Sequence, residues 1–379
     1  MQTFTLPRKD FRQAKNFPGR DGNVFDVILQ GSARLEKMPA PLFALGLALL
    51  AAIAARLQWA WAAALLGFFL SDWLQLALLP RFRRSFGPPK PPTLVLAVLR
   101  SLFALLPVWL SLPLQIAGSL LIVAGFWIEP QRLSLTRQSL SHPGFKPSRP
   151  LRLLHLSDLH IERITGREQA LQRQIDELQP DLILFSGDVL NLSYRTDPLA
   201  WQAARQVIAQ WRAPLGVFLV SGSPAVDLPE TTPEVLAGLP VRWLQDERVA
   251  ITFDGQTLDL IGLTCTHKPF EDAPRLAQLL PAGPGRLTIL LYHTPDLAPD
   301  AAEMGVDLQL SGHTHGGQVR LPFLGALFTG SLYGRSFDAG RYLLGKMTLY
   351  ISRGIGLEGA GAPRVRFLCP PEIILWEIG

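Results

Sequence analysis

Cysteine is scarce. Two of 379 residues, Cys265 and Cys369, lie far apart, form no CxxC pair and show no metal-ligand spacing. They read as two buried thiols in a reducing compartment. Internal repeats and low-complexity tracts are also missing. Lys/Arg blocks interleaved with aromatics, of the kind that track single strands, do not occur, which sets nucleic acid aside as a partner. What the chain has in excess is apolar surface. Hydrophobic residues make up 48% of it and the mean hydropathy is +0.21. Both values exceed what a soluble enzyme of this length needs and point to an embedded segment. A net charge of +5 placed beside apolar runs fits anionic lipid headgroups.

Residues 1–37 are polar, carry seven Lys/Arg, and are too long and too charged to be the front of a cleavable signal peptide. Residues 38–129 then read as an all-α transmembrane region. Segments 39–57 and 58–79 each reach the ~20 residues that cross hydrocarbon. Segment 92–128 as one helix would extend on the order of 55 Å against a ~30 Å core, so it is expected to break, at Ser111 and Pro113, into spans near 93–110 and 114–128. With about four spans, the basic N-terminal segment, the loop 81–90 and the segment after the last span fall on one side. The reading is a multi-pass protein with its following domain in the cytoplasm. Asp72 and Arg100 lie at similar depth inside spans. They either pair across two helices or snorkel separately. Residues 130–150, polar and punctuated by proline, read as a linker.

From 151 to 379 the pattern becomes strand–loop–helix. Apolar runs such as "LRLLHLSD" (151–158), "DLILFSGD" (181–188) and "LGVFLVSGS" (215–223) alternate with the helical stretches 167–179 and 201–211. This is an α/β domain with sheets covered on both faces. Asp158, Asp188, His293, His313 and His315 fall at or just past strand C-terminal ends, the edge where such sheets hold their sites. His160 can turn towards the same point. Carboxylates and imidazoles together suit Mn, Fe or Zn, one or two ions per chain. His155, in mid-strand, reads as core. His267 could stand in for a missing proton donor but reads as a surface loop histidine, and Asp227 as a solvated carboxylate.

"SDLH" (157–160), "SGD" (186–188), "YH" (292–293) and "SGHTHGGQ" (311–318) resemble, in this order, the calcineurin-like metallophosphoesterases. "LPFLGAL" (321–327), "LYISRGIG" (349–356) and "FLCPPEI" (367–373) resemble the branch in which the catalytic domain follows a membrane anchor. The resemblance implies a β-sandwich flanked by helices. It implies a first metal held by Asp158, His160 and His315, a second held by His293 and His313, and Asp188 bridging both. Asp188 and His293 would be central to catalysis, with paired ions activating hydroxide for in-line attack on phosphorus.

One position departs from the family. Where most relatives carry Asn-His after the third strand, this chain has Ser223-Pro224. Ser223 is at best a weak second-metal ligand, and Pro224 has no side-chain proton donor. Loss of a general acid costs ~10²–10⁴ in rate. The expected substrates are therefore phosphodiesters, phosphoanhydrides or activated monoesters, whose leaving groups need a proton least. Location beside membrane lipids makes a lipid-linked phosphate or pyrophosphate attractive. The alternative is a catalytically impaired pseudoenzyme that binds metal and phosphate as a membrane sensor or scaffold.

Overall fold

A computed structural model describes residues 2–3, 9–20, 22–281, 283 and 285–379. After the helix Val24–Ala33 come four apolar helices, Ala40–Ala54, Trp59–Leu78, Lys90–Ala104 and Val108–Ile122. Two helical stretches, Trp59–Leu78 and Val108–Gln131, are individually long and apolar enough to cross a membrane. A third candidate is Ala40–Ala54 taken with the preceding Val27–Lys37, from which it is bent by 109°. At ~1.5 Å per residue, a 15-residue helix spans roughly 22 Å, short of a full hydrocarbon core.

The break in the third apolar segment falls at Leu105–Pro107, not at Ser111 and Pro113. Pro107 caps the last helix, its carbonyl accepting from the N–H groups of Leu110 and Ser111. Pro113 is accommodated inside that helix. A proline before the first turn removes a donor the helix does not use, so the chain turns there at less cost. Beyond Ile122 the helix continues as a π-turn, Val123–Ile128. There the carbonyl of Gly125 accepts a hydrogen bond from the Arg366 amide, which ties the apolar helices to the following domain.

That domain is a sandwich of two mixed sheets. Among the described residues, one sheet orders Ser134–Leu140, Glu372–Ile378, Leu151–Leu156, Leu182–Phe185, Val217–Leu219 and Arg242–Trp243. The other contains Met347–Ile351, Leu308–Ser311, Thr288–Leu291 and Gln256–Gly262 at its centre. Leu153, Leu184, Leu260, Ile289 and Leu310 fill the space between the sheets. Helices Gly166–Leu178 and Pro198–Ile208 cover the outside of the first sheet, and Pro269–Leu279 with Ala298–Glu303 cover the second. Local signals agree with this layout. Thr165 and Glu168 form a reciprocal cap at the start of one helix, and Asp197 followed by Pro198 starts another.

Strand Ser134–Leu140 lies inside the stretch read as linker. It pairs in parallel with Glu372–Ile378 along its whole length. Being an edge strand, it is half-buried at alternate residues and never fully buried, so it carries polar side chains and no apolar run. Both cysteines are buried, and burial pushes the Cys265 thiol up to about 12.

Candidate metal centre

The three strands Leu151–Leu156, Leu182–Phe185 and Val217–Leu219 run parallel. So do Gln256–Gly262, Thr288–Leu291 and Leu308–Ser311 in the facing sheet. Their C-terminal ends therefore empty onto one edge of the sandwich. Asp158, His160, Asp188, His293, His313 and His315 all arrive there, buried or nearly so. The turns are tight. Asp158, His160, Asp188, His313 and His315 all have φ between 42° and 69°, a left-handed region that non-glycine residues rarely occupy and that concentrates at functional sites. Gly222 is required for a different reason: a Cβ there would lie 2.0 Å from Asp188 Oδ1.

The residues fall into two overlapping groups. Asp158, His160 and His315 bring one ligand atom each within 4.8 Å of the others, as do Asp158, Asp188 and His293. The Nε2 atoms of His160 and His315 approach to 2.9 Å. Asp188 Oδ2 lies 3.4 Å from His160 Nε2 and 3.3 Å from His293 Nε2, so one carboxylate faces both halves of the centre. His293 Nδ1 meets the Ser186 carbonyl at 2.8 Å, and His313 Nε2 meets the Gly330 carbonyl at 3.1 Å. Each contact places a ring proton on the outer nitrogen and turns the inner nitrogen to the site. Imidazoles and carboxylates converging on buried points fit divalent transition ions.

Electrostatics agree. Burial raises the Asp188 carboxyl, but the surrounding imidazoles of His293, His160 and His313 hold it well below the usual range. Burial pushes Asp158 up. Burial opposes the charge on His293, yet Asp188 and Asp158 raise it to about 9. An ion entering beside His293 must therefore displace a proton. Burial lowers His313 to about 3 and His315 well below its usual value, which leaves both rings neutral and able to ligate.

Ser223 lies in the middle of the second half. Its Oγ is 3.1 Å from His293 Nε2 and 3.5 Å from His313 Nδ1, and its amide donates to Asp188 Oδ1 at 2.6 Å. His155 is core as expected, hydrogen-bonded to Ser186 Oγ. Two residues read as peripheral are not. Asp227 is buried and accepts the backbone N–H groups of Asp188, Val189 and Gly222, which locks the two loops together. Burial, then the Asp188 charge, raises its carboxyl to about 6. His267 is also buried, with ring centroids 4.6 Å from His313 and 5.9 Å from His293. The signal that could have found it is the strand rule itself, since "LDLIGLTCTH" (258–267) is one more apolar run ending at the same edge. The N-terminal segment also reaches the site: Pro18 and Gly19 line its pocket, a cavity of about 80 Å³, with Asp188, Ser223 and His313.

A two-sheet sandwich with a carboxylate–imidazole cluster at its strand ends defines a metal-centred hydrolase class. Residues 151–317 match the family described as "Calcineurin-like phosphoesterase", so the resemblance to metallophosphoesterases lies in this domain. It is 29% identical over 282 residues to "Uncharacterized metallophosphoesterase YkuE" of Bacillus subtilis, covering 69% of this chain and 92% of that one. It is 25% identical over 308 residues to "UDP-2,3-diacylglucosamine pyrophosphatase LpxG" of Chlamydia muridarum, covering 65% and 90%. It is 27% identical over 266 residues to "Phosphodiesterase YaeI" of Escherichia coli, covering 66% and 90%.

Proposed function

We propose that this protein is a membrane-anchored phosphoesterase that hydrolyses a phosphodiester or phosphoanhydride bond in a lipid-linked substrate at the bilayer surface. The observation that carries this reading is the stretch 317–330. Its near ends, Gly317, Gln318, Phe328 and Gly330, line the metal pocket. Val319 and Leu321, in the same stretch, line an apolar cavity of about 360 Å³ together with Leu96, Leu99, Phe126 and Phe367. That volume lies within the ~300–1,000 Å³ typical of ligand sites. Between them, the tip of the hairpin Arg320–Leu321/Gly325–Ala326 exposes Phe323 completely, with Leu324, Leu327 and Phe328 also exposed. The exposed apolar faces of Lys90–Ala104 and Val108–Ile122 border the same cavity. An amphiphile could place its phosphate at the metal centre and its chain along this surface. The names of the LpxG and YaeI relatives are in keeping with that bond class and, for LpxG, with an acylated substrate.

Asp158, His160 and His315 would hold one ion, His293 and His313 the other, and Asp188 both. Bound there, the ions would neutralise phosphoryl charge and supply the nucleophile. The chain's own residues fix this geometry: the carbonyls of Ser186 and Gly330 orient His293 and His313, and Asp227 holds the Asp188 turn. Position 224 is proline, so no side chain there protonates the leaving group. This favours anhydrides and activated esters over alkyl monoesters.

The apolar helices are proposed to enter the bilayer as two hairpins from the domain's side, which is cytoplasmic by the placement of basic residues. Contacts support that side for three segments. The loop after Trp59–Leu78 meets the domain through Phe86, whose amide donates to Glu162 and whose carbonyl accepts from Tyr194. Helix Val24–Ala33 packs on it through Leu29, and Gly125 docks at Arg366.

The test uses full-length protein on two substrates, a soluble aryl phosphodiester and a lipid pyrophosphate in vesicles. A buried phenyl contributes ~1.5–3 kcal/mol. Phe323→Asp should therefore lower turnover of the vesicle substrate by roughly 10–100-fold and leave the soluble substrate unchanged. Equal effects on both would remove the lipid reading. No turnover of any phosphoester by the metal-loaded parent protein would favour the inert sensor.

A further inference from the structure

At the second half of the centre, the strand-end residues expected from the sequence supply Asp188, His293 and His313, with only a hydroxyl at Ser223. We propose that His267 is an additional protein ligand of the second metal ion, giving that ion three imidazoles and one shared carboxylate. The inference rests on the two-ion reading above and adds a residue to it.

Four observations carry it. Strand Gln256–Gly262 pairs in parallel with Thr288–Leu291, so the loop that follows it, like those of its neighbours, opens on the metal edge. His267 has φ 62°, in the same left-handed region as five of the six candidate ligands. Its ligating nitrogen and those of His293 and His313 all lie within 4.8 Å of one another. The ring is 2% exposed, and its Nε2 has no hydrogen-bond partner. His293 and His313, by contrast, each have an outer nitrogen on a carbonyl. A buried polar atom left without a partner is costly, and an incoming cation makes these nitrogens useful.

The ring is also held in place. Asp272 accepts both the amide and the hydroxyl of Thr266, and the Thr266 hydroxyl accepts the Lys268 amide. The loop is thus pinned on both sides of His267. From the other side the N-terminal segment lies on the imidazole: a Cβ at Gly19 would sit 2.3 Å from His267 Cε1. The Gly19 carbonyl accepts the Ala225 amide, two residues beyond Ser223. The N-terminal segment therefore braces both the added histidine and the loop in which relatives carry their amide ligand. A set of three imidazoles and a carboxylate selects nitrogen-preferring ions such as Zn²⁺, Fe²⁺ or Co²⁺ over Mg²⁺.

The experiment is metal titration of the full chain in detergent after chelation, with Zn²⁺ and Co²⁺ as probes. Ions per chain are counted by mass spectrometry, and the Co²⁺ visible spectrum reports coordination. The parent should take up two ions. His267→Ala should keep the first and bind the second at least ~10–100-fold more weakly, a range that outer-shell partners alone already command, with a changed Co²⁺ spectrum. Retention of the first ion reports a folded site. If His267→Ala loses both ions, His267→Gln, which fills the space with a neutral donor, is read in its place and should keep the first ion and weaken the second. Two ions bound with parental affinity and spectrum in either variant would overturn the proposal, including when activity falls, which would make His267 a proton donor. A parent that takes up a single ion would overturn the two-ion reading itself, and this inference with it.

Discussion

Asp188→Asn should abolish hydrolysis of both the soluble and the vesicle substrate and lower the ion content of the protein. The carboxylate faces both halves of the centre, at 3.4 Å from His160 Nε2 and 3.3 Å from His293 Nε2. In the asparagine variant the oxygen that accepts the Ser223 amide can remain, so the turn survives. The other oxygen becomes an uncharged NH₂ that cannot ligate. Paired ions contribute several kcal/mol of charge stabilisation in the transition state, and each ~1.36 kcal/mol is a factor of ten, so the loss should reach at least ~10³-fold. Turnover within tenfold of the parent, with two ions still bound, would mean that Asp188 does not bridge.

The second large effect lies among the apolar helices and concerns stability. Arg100 grips Asp72 through two hydrogen bonds, Nε to Oδ2 at 2.6 Å and Nη2 to Oδ1 at 2.9 Å. Neither residue snorkels: Asp72 is 0% exposed and Arg100 is 4% exposed. The remaining guanidinium donors reach the carbonyl and side chain of Gln115 and the hydroxyl of Ser119, and Gln115 donates back to the Arg100 carbonyl. One network thus joins three apolar helices. Removing one partner of a buried pair strands the other charge, at about 3–5 kcal/mol. Asp72→Ala should lower the unfolding midpoint in detergent by an amount of that order. Adding Arg100→Met should restore much of it, because no charge is then left buried. Purely additive losses in the double variant would show that the pair is not the source of the effect.

Much of the centre was legible because of how a parallel sheet is built. A buried strand is an uninterrupted apolar run, so the first polar residues after it stand out, and they stand at the edge where a ligand can reach. Asp158, Asp188, His293, His313 and His315 were visible on that ground, and the two-residue spacing to Asp158 added His160. Asp227 was not visible, because it is a single polar residue in a loop, and His267 was marked only by the apolar run that precedes it. A carboxylate that caps three amides has the same sequence as a solvated one. The strand at 134–140 was missed because an edge strand alternates polar with half-buried residues. The helix break was misplaced because two prolines stand close together, and packing selects Pro107.

The sequence by itself determined the division into an apolar helical region and an α/β domain, the types of the candidate ligands, and the absence of a side-chain proton donor at position 224. Those follow from composition, from the periodicity of burial, and from which side chains can hold a cation or a proton at all. Tertiary structure decided that Asp72 and Arg100 pair, that the N-terminal segment lies against the metal edge, and that His267 stands beside His293 and His313. Each of these depends on which distant segments pack together, and packing is a property of the folded chain that no local pattern of residues records.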